Sequence, residues 1–116
     1  MVDMTLSKRE RTRRARRSKH NTHLKQAYGI TIEDYDTILE SQNGKCAICH
    51  GGTSKRHFAV DHNHRNGNVR GLLCARCNTA LARFMDRRVV VGRAYKYLGE
   101  DGSKINAILG RNINEN

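Results

Sequence analysis

The chain has no tryptophan and no proline, and aromatic residues make up only 5% of its 116 positions. Hydrophobic residues of all kinds reach just 37%. A single small domain with so little to bury needs a staple, either a metal or disulfides. No apolar run approaches the roughly 18 residues of a membrane span, and the N-terminus lacks the apolar stretch of a secretory signal. These absences argue against membrane insertion and export and point to the cytosol. There, paired cysteines are metal ligands more often than disulfides. No Pro-rich linker, internal repeat or second domain is visible.

Acidic residues are also scarce. Eleven Asp and Glu face 22 Lys and Arg, for a net charge of +11. Charge on this scale favours a polyanionic partner and supplies salt-sensitive affinity that is blind to sequence. Nucleic acid suits the pattern better than membrane, because the basic segment carries almost no bulky apolar residue to insert. Charge alone leaves a solvated basic surface or a ribosome-associated zinc protein standing beside a nuclease. Residues 1–27 hold most of the excess, with only Asp3 and Glu10 in opposition. The segment is expected as a basic arm, either disordered or a helix formed on the phosphate backbone. Arg13, Arg14, Arg16, Arg17 and Lys19 are its expected phosphate contacts.

The pattern then predicts a helix over 32–42. Thr31 is a good N-cap with Asp34 three residues on, Ile32, Tyr35, Ile38 and Leu39 share one face, and Asn43-Gly44 ends the run. His57 to His62 and Val69 to Leu73 read as a β-hairpin around the turn signal Asn66-Gly67. A helix over 75–86, with Leu81, Phe84 and Met85 inward, and another over 89–98 follow. The polar, Asn-rich residues 99–116 form a tail to which the sequence assigns no element.

All four cysteines fall into two knuckles, Cys46-x-x-Cys49 and Cys74-x-x-Cys77. Each Cys-x-x-Cys turn offers two thiolates to one ion, and two such turns fill a tetrahedral zinc shell. With four sulfur ligands the zinc is structural, and its binding free energy of ~10–16 kcal/mol rivals the whole stability of a small domain. A redox dithiol fits two pairs in one basic domain poorly. Cys46 to His50 also matches the CxxCH haem-attachment pattern, but that chemistry belongs to exported proteins and leaves the second knuckle unexplained.

Between the knuckles lies Val60-Asp61-His62-Asn63-His64, and Asn78 directly follows the last cysteine. Phosphodiester hydrolysis needs an activated water, an ion to take up developing charge and help for the leaving oxygen. Asp61 is a hard donor suited to Mg²⁺ or Mn²⁺, and an imidazole such as that of His62 suits a general base. In a regular strand Asp61 and His62 point to opposite faces, so a bend is required to bring them to one cleft. The amide oxygen of Asn78, at the start of the following helix, would complete the ion's protein ligands. Singly, each residue has a bland explanation: Asp-His pairs decorate surfaces, and an Asn beside a helix start is usually a cap.

Cys46-Ala-Ile-Cys49, Val60-Asp61-His62-Asn63-His64, Val69-Arg70-Gly71-Leu72-Leu73-Cys74 and Cys77-Asn78 resemble the HNH, or ββα-metal, nucleases. They are most similar to the phage recombination endonuclease VII family, as is Tyr28 to Gln42 ahead of the first knuckle. The resemblance implies a small α+β fold: a zinc-stapled ββα-metal core over 28–98, flanked by helices and the basic arm. It implies ion binding by Asp61 and Asn78, a general base in His62 and a phosphate or leaving-group role for His64. Arg70, within the matching motif, is an expected DNA contact. The expected activity is metal-dependent DNA cleavage, by nicking or on branched structures, with structural Zn²⁺ and catalytic Mg²⁺ or Mn²⁺. The expected partner is double-stranded or branched DNA, with no membrane, and the enzyme a monomer or homodimer. If phage-encoded, it acts in the cytoplasm of a bacterial host. A non-catalytic zinc-containing nucleic-acid-binding module is the competing expectation. His20, His23, His50 and His57 are expected to meet solvent or phosphate, with no catalytic role.

Overall fold

Apolar residues that are few and clustered dictate which surfaces of this chain come together. The computed structural model describes residues 5–112; the first four positions of the basic segment and the last four of the tail lie outside the described residues. The element order is α1 (Lys8–Tyr28), α2 (Ile32–Ser41), β1 (Ala59–His62), β2 (Val69–Leu73), α3 (Ala75–Arg83), α4 (Arg88–Tyr97) and α5 (Ser103–Leu109). The fold is thus small α+β, with five helices and one two-stranded sheet among the described residues. The chain divides into two compact units between Asn78 and Thr79.

In the first unit, the basic segment forms one long helix. Ser7 caps α1 by accepting from the Glu10 N–H at 3.2 Å. Gly29 stops it in the left-handed conformation at φ 71°, its N–H reaching the carbonyls of Leu24 and Lys25. Almost every side chain of α1 is exposed, yet Leu24 is fully buried and anchors the helix. Leu24 forms the core with Ile32, Tyr35 and Leu72, and Tyr28, Ile30, Ile38, Leu39, Phe58 and Val60 pack around them. The core therefore draws on α1, α2 and both strands.

α2 starts with a complete capping box. Thr31 Oγ1 accepts from the Asp34 N–H at 3.0 Å, and Asp34 Oδ2 accepts from the Thr31 N–H at 2.9 Å. This satisfies two of the donors that a helix start leaves open. Just past its end, the Gln42 amide acts as a short piece of strand. Oε1 accepts from the Leu72 N–H and Nε2 donates to the Leu72 carbonyl, both at 2.9 Å. Nε2 also donates to the Lys45 carbonyl at 2.8 Å. A Cβ at position 71 would stand 3.1 Å from Gln42 Oε1, so a larger residue there would crowd that amide.

The hairpin is antiparallel, pairing Ala59 with Leu73, Val60 with Leu72 and Asp61 with Gly71. Its turn is tightened by Asn63, whose Oδ1 accepts from the Arg65 N–H at 2.8 Å, and by Gly67 at φ 78°.

The second unit departs more from expectation. α3 ends at Arg83, because Met85 and Asp86 turn the chain with φ of 58° and 53°. Met85 stays 65% exposed and Phe84 36% exposed, so neither is the inward-facing residue that helical periodicity implied. The polar tail contains α5, closed by Gly110 at φ 70°. Its N-cap is Gly102, which has no side chain to cap with, and the first helical N–H, of Ser103, is instead accepted by Asp101 Oδ1 at 2.9 Å. No helix among the described residues is long and apolar enough to cross a membrane.

Candidate functional site

The two knuckles converge. The four cysteine sulfurs lie within 4.8 Å of one another, with Cys49 and Cys74 Sγ atoms 3.7 Å apart. Ligands at a zinc–sulfur distance of about 2.3 Å stand about 3.8 Å from each other on a tetrahedron, so the spacing fits a structural zinc. A disulfide would need about 2.05 Å. Backbone folding sets the sulfurs up: the Ile48 N–H points at Cys46 Sγ (3.5 Å), Gly51 at Cys49 Sγ (3.4 Å) and Cys77 at Cys74 Sγ (3.4 Å). Burial opposes ionisation of Cys46, but backbone donors at Cys74, Cys49 and Ile48 outweigh it and draw the thiol down to about 6. Burial, followed by the neighbouring thiols, pushes Cys77 up to about 12. Such a cluster ionises fully only around a cation, since the thiolate is the ligand form.

The first knuckle is also tied to the sheet, by the Ala47 N–H donating to the Leu72 carbonyl at 3.1 Å. The second begins where β2 ends. Asn78 lies on the first turn of α3, its N–H donating to the Cys74 carbonyl at 3.0 Å and its residue exposed.

Strand β1 carries Asp61 and His62, and the sheet's register breaks between them. His62 pairs with Val69 and Asp61 with Gly71, so Arg70 is left as the extra residue of a bulge. A bulge bends and twists a hairpin locally. It falls at the step where a regular strand would separate these two side chains.

Across the bulge, Arg70 grips Asp61 with two bonds, Nε to Oδ2 at 2.7 Å and Nη2 to Oδ1 at 3.1 Å. The Asp61 side chain is only 13% exposed and that of Arg70 is 38% exposed. On the other side of the break, the His62 and His64 rings stack at 4.8 Å and 7° between planes. Tyr28, from the end of α1, stands 6.0 Å from His62 and edge-on to His23 at 6.1 Å.

The structure thus brings together the four cysteines, Asp61 with Arg70, and His62 with His64. Sequence reasoning placed Arg70 on DNA and overlooked its grip on Asp61. Counting outward from Asn66-Gly67 sets position 61 opposite 72, and the bulge pairs Asp61 with Gly71, so the turn gave the neighbourhood of that grip but not its partner. Tyr28 and Gln42 carried no comparable signal.

Of the basic residues on α1, Arg17 is paired with Asp36 of α2 at 2.7 Å, and that hydrogen bond raises its pKa further. Arg13, Arg14, Arg16 and Lys19 are exposed along the same helix. Arg13, Arg16 and Arg17 line an open pocket of about 1200 Å³ together with His20, Arg56 and His57. His20 and His57 stack at 3.9 Å and 20°, and His20 meets Tyr35 edge-on at 4.9 Å. The Tyr35 hydroxyl accepts from the Phe58 N–H at 3.0 Å, which fixes the loop entering β1.

A family model described as recombination endonuclease VII matches residues 21–100. Two relatives are similar over 58 residues, the Gene 59 proteins of Mycobacterium phage D29 (50% identical) and Mycobacterium phage L5 (47% identical). Each match takes in 49% of this chain and 35% of the relative, so the chain spans about a third of their length.

Proposed function

The chain belongs to the recombination endonuclease VII family, and from that premise we propose that it is a metal-dependent DNA endonuclease of the HNH, ββα-metal type. In this reading β1, β2 and the start of α3 form the catalytic core, and the four cysteines hold a structural zinc that clamps α3 to the hairpin. The carrying observation is the register break at Asp61 and His62, set in a strand pair whose β2 runs directly into Cys74.

Asp61 and Asn78 would hold the Mg²⁺ or Mn²⁺. Their carboxylate and amide oxygens are the hard donors such ions take, and Asp61 already accepts a cationic guanidinium across both oxygens. When bound, the ion supplies Lewis-acid stabilisation of the phosphoryl oxygens. His62 takes the proton of the attacking water, with its ring held against Tyr28 and His64. His64, exposed beside it, supports the phosphate or the leaving oxygen. The cations of α1 hold the flanking backbone without reading bases.

Supercoiled plasmid incubated with Mg²⁺ or Mn²⁺ is expected to be nicked, and EDTA to prevent it. His62→Ala should slow nicking by ~10²–10⁴-fold while leaving DNA retention in a gel unchanged. Plasmid that is bound but never cut would make the protein a zinc-containing nucleic-acid-binding module instead.

A further inference from the structure

We propose that Arg70 is a built-in competitor for the catalytic ion: it caps Asp61 until DNA draws it off, and so couples metal binding to DNA binding. The inference rests on the assignment of Asp61 as an ion ligand made above. Three observations lead to it. Both Asp61 oxygens are engaged by one guanidinium, at 2.7 and 3.1 Å. The carboxylate is nearly enclosed while the arginine remains partly open to solvent. Arg70 is also the bulge residue, skipped by the sheet's pairing register.

The electrostatics follow directly. A divalent ion taking an Asp61 oxygen meets a fixed positive charge across the same carboxylate. In the partly desolvated pair that repulsion is poorly screened. A phosphodiester brought to the hairpin offers the guanidinium an alternative anion with matching two-pronged geometry. DNA therefore relieves the competition, and by linkage the ion tightens DNA binding by the same factor. Arg70 would then serve Asp61 when DNA is away and phosphate when DNA is present, which reconciles its position here with the DNA contact expected from its motif.

The test is an Mn²⁺ titration followed by electron paramagnetic resonance of free Mn²⁺. It uses the zinc-loaded full chain in a His62→Ala background, so that DNA stays uncut. Without DNA, Arg70→Ala should bind Mn²⁺ more tightly than the parent, by about fivefold or more, the lower end of typical couplings. Adding duplex DNA should tighten Mn²⁺ binding clearly more in the parent than in Arg70→Ala, where only the phosphate's own contact with the ion remains. Arg70→Gln, which keeps a hydrogen-bond donor without the charge, should behave as Arg70→Ala does and serves if the alanine variant loses its zinc. Equal Mn²⁺ affinities for parent and both variants, or an equal DNA effect in all three, would overturn the inference. Asp61→Asn separates this from the underlying reading. If Mn²⁺ binding is lost in Asp61→Asn but unmoved in Arg70→Ala, only the competition fails. If Asp61→Asn binds Mn²⁺ like the parent, or the parent binds none even with DNA present, the ion assignment falls and takes the inference with it.

Discussion

Single side chains in this protein do work that elsewhere takes whole elements. Gln42 stands in for a strand, answering both backbone groups of Leu72 with one amide. Gln42→Ala removes three hydrogen bonds and strands the Leu72 N–H in a partly buried place. A cost of about 1–3 kcal/mol is expected from the unsatisfied group. Guanidinium unfolding should show it as a lower midpoint with unchanged slope, and an unchanged midpoint would mean that water fills the gap. Nothing around Gln42 in the sequence announced this, because a side-chain amide imitating a peptide leaves no periodicity. The cysteines were legible for the opposite reason: metal ligands must recur at the spacing a tight turn permits. Asp61, His62 and Asn78 were legible as residue types, and the bulge between the first two was legible only as a requirement.

At the scale of elements, the capping box and the Asn-Gly turn placed α2 and the hairpin in advance, since both are written in adjacent residues. α1 was harder, because its stabilising contacts lie far away in sequence. Its two surfaces yield separate predictions. One is the stacked pair of His20 and His57, which joins α1 to the loop before β1. Burial first, and then positive neighbours, lower both pKa values: His57, His23 and Arg17 act on His20 against Asp36, and Arg56 acts on His57. The unfolded chain therefore binds protons more readily than the folded one just below the ordinary histidine pKa of about 6.5. Stability should be full above that pH and fall as pH drops through it. Melting temperatures measured from pH 7.5 to 5 should decline less steeply in His57→Gln, and parallel curves would remove the pair from the linkage. The other surface is the exposed basic face. Changing Arg13, Arg14 and Arg16 together to Gln should flatten the log K versus log salt slope on duplex DNA by ~0.9 for each phosphate no longer neutralised. Cleavage at saturating DNA should not change, because Asp61, His62 and Asn78 are untouched. Identical slopes would make this face a solvated surface.

The whole first unit depends on a small core and a thiolate cluster joining chain segments far apart in sequence. Cys74→Ser should abolish both the bound zinc, counted by metal analysis, and the cooperative thermal transition, since binding of ~10–16 kcal/mol matches the stability of a small domain. A sharp transition without zinc would show that the apolar core suffices. In the second unit the helix expected over 89–98 is present as α4, whereas α5 and the positive-φ turn at Met85 and Asp86 were not foreseen, since no Gly or Asn-Gly signal marks that turn. In the first unit, Leu24 has a consequence of another kind. The helix carrying the basic charge also supplies one of the fully enclosed side chains of the core. Its outer face is free to be rewritten one residue at a time, toward stronger or weaker hold on a polyanion, without touching the fold. The helix itself cannot be discarded on the same terms. Substitutions on that face can retune any hold on a polyanion, whereas deletion of the helix would take the core of the first unit with it.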